Sequence, residues 1–265
     1  MNSQPDFWEL PNRIRAIFLF LASGLLMLVG LHYGMERFIE GDFWPKFLID
    51  RNGPSQGDQG NYYPFTIHAV LHLTFFIGLG ELFVRWRVAE RETAFLGEGY
   101  LPEDEDTVLQ SHDLAPIRMK VARRFDAEHG FLPSLIDICI LQYFSSRSVD
   151  QTVSVLNSTL ELFGHRLDLR YSPIRYLAWL IPTIGFIGTV VGIALALHDM
   201  DPVNPNLEQV TQSLGMAFYT TIIALFWSAI LAFMIHFVQA LEERSLNSAG
   251  HYTLINLINR LYTGE

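Results

Sequence analysis

Two apolar stretches without any charged side chain constrain this chain more than any other feature. No Asp, Glu, Lys or Arg occurs between Arg175 and Asp199, or between Glu208 and Glu242. Each stretch is longer than the roughly 20 residues that a helix needs to cross the hydrocarbon core of a bilayer. We therefore predict an integral membrane protein. The charged fraction of 17% agrees, because soluble domains average about 25%.

Two further stretches are long and apolar enough to span a membrane, and we expect four transmembrane helices in all. Arg13 and Arg15 precede the first span, but no small-residue cleavage site follows it, so we expect an uncleaved anchor. The predicted fold class is all-α, an integral membrane protein with a helical cytoplasmic domain. The four predicted spans are 14–35, 65–86, 174–197 and 210–241.

The distribution of positive charge predicts the orientation. Lys and Arg are frequent between Arg85 and Arg170, and none lies between the last two spans. The positive-inside rule then places both termini in the cytoplasm. The remaining segments are a cytoplasmic N-terminus at 1–13, an outward loop at 36–64, a cytoplasmic helical domain at 87–173, an outward loop at 198–209 and a cytoplasmic tail at 242–265.

Several classes of function find no support in the chain. The net charge of −10 argues against nucleic-acid binding. Cys139 is the one cysteine, so no disulfide framework is implied. Because no phosphate-binding loop, zinc motif or nucleophile elbow is present, we expect neither an enzyme nor a bound cofactor or metal.

Small residues form one helical stripe on each of the last two spans. The stripe on the third span is Gly185, Thr189, Gly192 and Ala196, flanked by Gly188, and that on the fourth is Ala217, Thr221, Ala224 and Ser228. In lipid, small residues let helices approach closely, so plain packing is the simpler interpretation. The threonine hydroxyls could also meet an ion or a partner. Neither span holds a carboxylate, so a titrating group would come from a partner.

The second span carries ionisable residues with helical spacing. His68 and His72 are four residues apart, and hydrogen bonds to loops are favoured over a metal site. Glu81 and Arg85 have the same spacing, which favours a salt bridge near the cytoplasmic end over a functional pair inside the membrane.

A proline and glycine motif marks the third span. It reads Pro182-x-x-Gly185-x-x-Gly188-Thr189-Val190-x-Gly192, and the fourth span continues with Leu214-Gly215-x-Ala217-Phe218-x-Thr220-Thr221. This arrangement, behind a large cytoplasmic segment, resembles the MotA/TolQ/ExbB proton-channel family. Met216 stands where some members of that family carry a glutamate.

The resemblance implies a stator subunit of an ion-driven motor in the bacterial inner membrane, with the outward loops in the periplasm. Five copies would surround two copies of a single-span MotB/TolR/ExbD-like partner that carries the ion-binding aspartate. The transported ion would be H⁺, with Na⁺ as the alternative. The implied ion-path and partner-facing residues are Thr189, Thr221, Thr220, Ala217 and Ser228. The implied bearing surface is Pro182, which lets the helix bend, with Gly185, Gly188, Gly192 and Ala224.

A different class of function uses the same stripes for packing alone. The chain would then be a non-conducting membrane scaffold that recruits cytoplasmic partners. The motor hypothesis leaves open which machine is driven, since flagellar rotation, outer-membrane energisation, gliding and phage defence all use such a core.

Overall fold

A computed structural model describes residues 10–38, 47–48, 66–104, 106–122, 130–198, 200 and 207–262. The two predicted outward loops lie largely outside these residues. Regular structure in the described part is helical, which confirms the all-α class. The α-helices with defined bounds are α1 (Leu10–Phe38), α2 (Ile67–Phe95), α3 (Ser111–Ala122), α4 (Phe131–Ser146), α5 (Val149–His198) and α6 (Leu207–Asn256).

Four of these helices, α1, α2, α5 and α6, are long and apolar enough to cross a membrane. Helices α5 and α6 have 50 residues each. At 1.5 Å per residue, such a helix is about 75 Å long, whereas the hydrocarbon core is about 30 Å thick. Each of the two therefore extends well beyond the part that a bilayer can cover.

Helix α5 continues through both of its prolines. The predicted third span, 174–197, is the last part of a longer helix, because α5 is unbroken from Val149 to His198. A proline removes its own amide from the helix ladder and crowds the carbonyl four residues earlier, but the other backbone hydrogen bonds of the helix can remain. Tyr171 and Ile174, which flank Pro173, are fully buried, and their packing holds the helix together there.

The chain divides into two compact units. The first comprises Met1–Val84 and Pro173–His236. Its core contains buried Leu71, Leu82 and Leu231. This unit holds the charge-free part of α5 and most of that of α6, and all of the predicted site residues lie in it.

The second unit comprises Arg85–Ser172 and Phe237–Glu265. Helix α4 forms much of its core and buries Leu132, Leu135, Ile136, Cys139 and Ile140. The buried carboxylate of Glu92 caps the N-terminus of α4, because it accepts hydrogen bonds from the amides of Gly130 at 2.9 Å and Phe131 at 2.7 Å. These amides have no partner within the helix, so Glu92 satisfies them and complements the helix dipole.

Candidate ion-path seam between α5 and α6

The small-residue stripes of α5 and α6 pack against each other within one chain. A Cβ added at Gly192 would lie 2.7 Å from Cβ of Ala217, and one at Gly185 would overlap Cβ of Ala224. Carbon atoms in contact lie about 3.5–4.0 Å apart. Glycine at both positions therefore permits a backbone approach that alanine would prevent.

Thr220 lies inside this helix contact. Its hydroxyl donates to the carbonyl of Ala217 on its own helix at 2.8 Å. A Cβ at Gly188 would lie 2.8 Å from Oγ1 of Thr220. Thr220, Ala217 and Ala224 are all buried between the helices.

Thr189 and Thr221 present their hydroxyls at the half-buried margin of the seam. Oγ1 of Thr189 lies 3.0 Å from the carbonyl oxygen of Ala217, and Oγ1 of Thr221 lies 3.2 Å from that of Gly185. The two hydroxyls also contact each other. A hydroxyl has one proton and two lone pairs, so the pair retains accepting capacity after these bonds form. It can accept a hydrogen bond from a protonated carboxyl group or contribute oxygen ligands to a cation.

Ser228 makes a third polar contact across the seam. Its hydroxyl donates to the carbonyl oxygen of Ala178 on α5 at 2.9 Å, and both residues are half-buried. Pro182 lies one turn after Ala178 and remains inside the helix. The seam therefore combines glycine contacts with hydroxyls that bond to backbone carbonyls of the neighbouring helix.

Residues 134–249 match the model of the MotA/TolQ/ExbB proton channel family. The chain carries a MotA/TolQ/ExbB family domain. No curated protein and no solved structure gave a significant match. The domain begins in α4 and includes the whole of the seam, so every predicted site residue falls within it.

The matched family is a non-enzymatic channel family. The match covers α5 and most of α6, and four helices of the described part are long and apolar enough to cross a membrane. Together these observations indicate a multi-pass membrane protein that carries a proton-channel family domain.

Large apolar side chains remain exposed on both helices of the MotA/TolQ/ExbB domain. Thr189 and Thr221 are half-buried, and each is next in sequence to an exposed apolar residue, Val190 and Ile222 respectively. Lipid or other membrane helices must cover such surfaces, because they would be unstable in water. The exposed side chains are Phe186, Ile187, Val190, Val191, Ile193 and Leu197 on α5, and Phe218, Ile222, Leu225, Phe226 and Phe233 on α6.

Glu81 and Arg85 each have an acidic or basic partner on another helix. Glu81 pairs with Arg13 on α1, and Nη2 of Arg13 lies 2.7 Å from Oε1 of Glu81. Arg85 approaches Glu242 on α6, with Nη1 3.8 Å from Oε1. Helical spacing brings two residues to the same side of α2, but their tertiary neighbours decide the pairing.

His68 and His72 are both fully buried. The indole Nε1 of Trp227 donates to Nδ1 of His72 at 2.9 Å, and Nε2 of His72 lies 3.0 Å from the carbonyl oxygen of Leu48. Since a carbonyl can only accept, the proton of His72 is on Nε2 and both ring nitrogens are occupied. His72 therefore has no lone pair left for a metal. The described residues contain no group of three or more metal-binding side chains.

The sequence analysis missed four structurally important residues, which are Tyr171, Glu242, Glu92 and Trp227. Each forms a hydrogen bond to a residue at least 38 positions away in the sequence. No local spacing pattern indicates such contacts. The one signal available in the sequence was a charged residue next to a long apolar stretch. Glu242, at the end of the charge-free part of α6, is such a residue.

Proposed function

We propose that this chain is the five-fold subunit of an ion-driven rotary motor and that it encloses two copies of a single-span partner. Ion flow down the membrane gradient would turn one set of subunits against the other. The open apolar faces of α5 and α6 would then contact neighbouring copies and the partner helices. Family membership supports this proposal, since it implies a stator component of a motor-like complex.

The half-buried hydroxyl pair of Thr189 and Thr221 is the observation that carries the proposal. The charge-free parts of α5 and α6 contain no acidic or basic side chain other than His198 and His236 near their ends. The group that binds the ion would therefore come from outside these two helices, and we assign it to another chain. A partner aspartate would meet hydroxyl oxygens that accept a hydrogen bond when it is protonated. This chemistry suits H⁺, and we propose a proton as the ion.

We further propose that both termini and the second unit lie in the cytoplasm. The excess of Lys and Arg between Arg85 and Arg170 supports this orientation. Cysteine accessibility from each side of a sealed vesicle tests it. Val108→Cys, at a position that is 56% exposed, should react with an impermeant maleimide only from the cytoplasmic side.

The mass of the purified complex tests the assembly. The chain would be expressed with a neighbouring single-span protein that contains one intramembrane aspartate, extracted in mild detergent and measured by native mass spectrometry. We expect five copies of this chain with two of the partner. The same partner with Asp→Asn should still assemble but should pass no ions. A monomer, dimer or ring that excludes the partner would contradict the proposal.

The scaffold hypothesis stays the alternative, because the two small-residue stripes already pack against each other within one chain. It predicts that biological activity does not depend on the membrane potential. A protonophore separates the two hypotheses. Loss of activity within minutes of its addition supports the motor, and unchanged activity supports the scaffold.

A further inference from the structure

Pro182 creates a specific deficit in α5. In an α-helix, the amide of residue i donates to the carbonyl of residue i−4, and proline has no amide hydrogen. Pro182 therefore leaves the carbonyl of Ala178 without its usual donor. Lipid offers no hydrogen bonds, so a freed carbonyl within a membrane span needs a donor from the protein.

Ser228 supplies that donor from the neighbouring helix. Its hydroxyl lies 2.9 Å from the oxygen of Ala178. Serine and threonine hydroxyls in helices commonly return to a carbonyl of their own helix, as Thr183 does to Trp179 at 3.0 Å and Ser245 does to Glu242 at 2.8 Å. Ser228 instead donates to the one carbonyl that Pro182 has freed.

The other proline of α5 provides a contrast. Pro173 frees the carbonyl of Leu169, and Leu169 is 56% exposed. Ser172 and Pro173 are exposed as well. The carbonyl freed by Pro173 therefore lies on an open surface of the second unit, whereas that freed by Pro182 lies against α6.

A proline weakens a helix locally and permits it to bend. We propose that Ser228 is a positioning residue that controls the bending of α5 at Pro182. Its hydroxyl replaces the missing amide as the donor to the carbonyl of Ala178. The direction in which α5 bends there therefore depends on the position of Ser228 on α6. A movement of α6 is thereby coupled to the bend of α5 through one hydrogen bond. This inference concerns the seam alone and does not depend on the proposed motor function.

A double-mutant cycle between Ser228→Ala and Pro182→Ala tests the proposal. Alanine at position 182 restores an amide that can bond to Ala178, and the hydroxyl of Ser228 then becomes redundant. In detergent, Ser228→Ala should lower the Tm by about 2–4 °C in the wild-type background, which corresponds to one lost hydrogen bond. In the Pro182→Ala background, the same substitution should change the Tm by less than half as much.

Ser245→Ala is the matched control, because it removes a buried hydroxyl of α6 that bonds within its own helix. It should lower the Tm equally in both backgrounds. Equal effects of Ser228→Ala in both backgrounds would overturn the proposal. If Ser228→Ala alone does not fold, recovery of folding in the double variant supports the proposal, and failure of the double variant overturns it.

The bend itself can also be measured. Spin labels at exposed Tyr176 and Val190 lie on either side of Pro182. Labelled chains diluted into unlabelled ones should give a broader distance distribution for Ser228→Ala than for wild type. Pro182→Ala should remove that difference, and an unchanged distribution in Ser228→Ala would refute the coupling.

Discussion

The hydroxyl of Tyr171 donates a hydrogen bond to Oε2 of Glu242 at 2.8 Å, and both side chains are fully buried. Oε1 of the same carboxylate faces the guanidinium of Arg85, which is 9% exposed. These three residues come from three different helices of the second unit. Their contacts fix how α2, α5 and α6 meet there.

Glu242→Gln should destabilise the protein strongly, because it keeps a partner for Tyr171 but removes the charge that neutralises Arg85. Breaking a buried ion pair costs about 3 kcal/mol or more of the free energy of unfolding. Tyr171→Phe should cost less, about 2 kcal/mol, because it leaves one oxygen of a buried carboxylate without its donor but keeps the ion pair. Glu243→Gln is the control, since Glu243 is exposed. Equal unfolding free energies for Glu242→Gln and Glu243→Gln would show that the buried pair does not stabilise the fold.

Gly185→Ala should destabilise the protein, whereas Gly164→Ala on the same helix should stabilise it. An added Cβ at Gly185 overlaps Ala224, while nothing lies within 4 Å of a Cβ at Gly164. Overpacking costs about 1–3 kcal/mol, and replacing a helix glycine by alanine gains up to about 1 kcal/mol. Thermal unfolding in detergent measures both. A stable Gly185→Ala variant would mean that α5 and α6 lie farther apart.

Thr221→Val should abolish ion flow but leave assembly intact. The substitution preserves shape and removes one hydroxyl, so the loss of stability should be about 1 kcal/mol. Proton uptake by liposomes that contain the chain and its partner measures the flow. Thr183→Val is the matched control, because Thr183 bonds to Trp179 of its own helix at 3.0 Å. Normal flow in Thr221→Val would remove this residue from the ion path.

Cys139 should resist thiol reagents in the folded protein. It is 1% exposed, and burial raises the pKa of its thiol to about 12. The reactive thiolate is therefore almost absent at pH 7.5, and maleimide should label Cys139 only after unfolding. The exposed Val108→Cys variant, labelled in parallel, should react at once. Rapid labelling of Cys139 under native conditions would contradict the buried position of α4.

The sequence indicated that the stripes of α5 and α6 are close-packing faces, because glycine and alanine at helical spacing can pack closely against almost any helix. It did not predict that Gly185 and Gly192 would meet Ala224 and Ala217 of the same chain. A stripe specifies the shape of its partner surface and not the partner's identity. The two faces were therefore assigned to partner helices, and the contacts within the chain became visible only in three dimensions.

Charged pairs show the same limit. The spacing of Glu81 and Arg85 favoured a local salt bridge, but Arg13 and Glu242 compete for them from distant parts of the chain. The apolar residues of α4 show a related limit. Leu135 is fully buried, whereas Leu141 is 42% exposed. Hydrophobic periodicity alone therefore carries little information about which side of α4 is buried.

The glycine contacts of the seam have a mechanical consequence. A Cβ at Gly192 would lie 2.7 Å from Cβ of Ala217, and one at Gly185 would overlap Cβ of Ala224. Small residues on both sides bring the two backbones close together but provide no long side chains that interlock. Such a contact resists separation of α5 from α6 more strongly than it resists a short slide of one helix along the other.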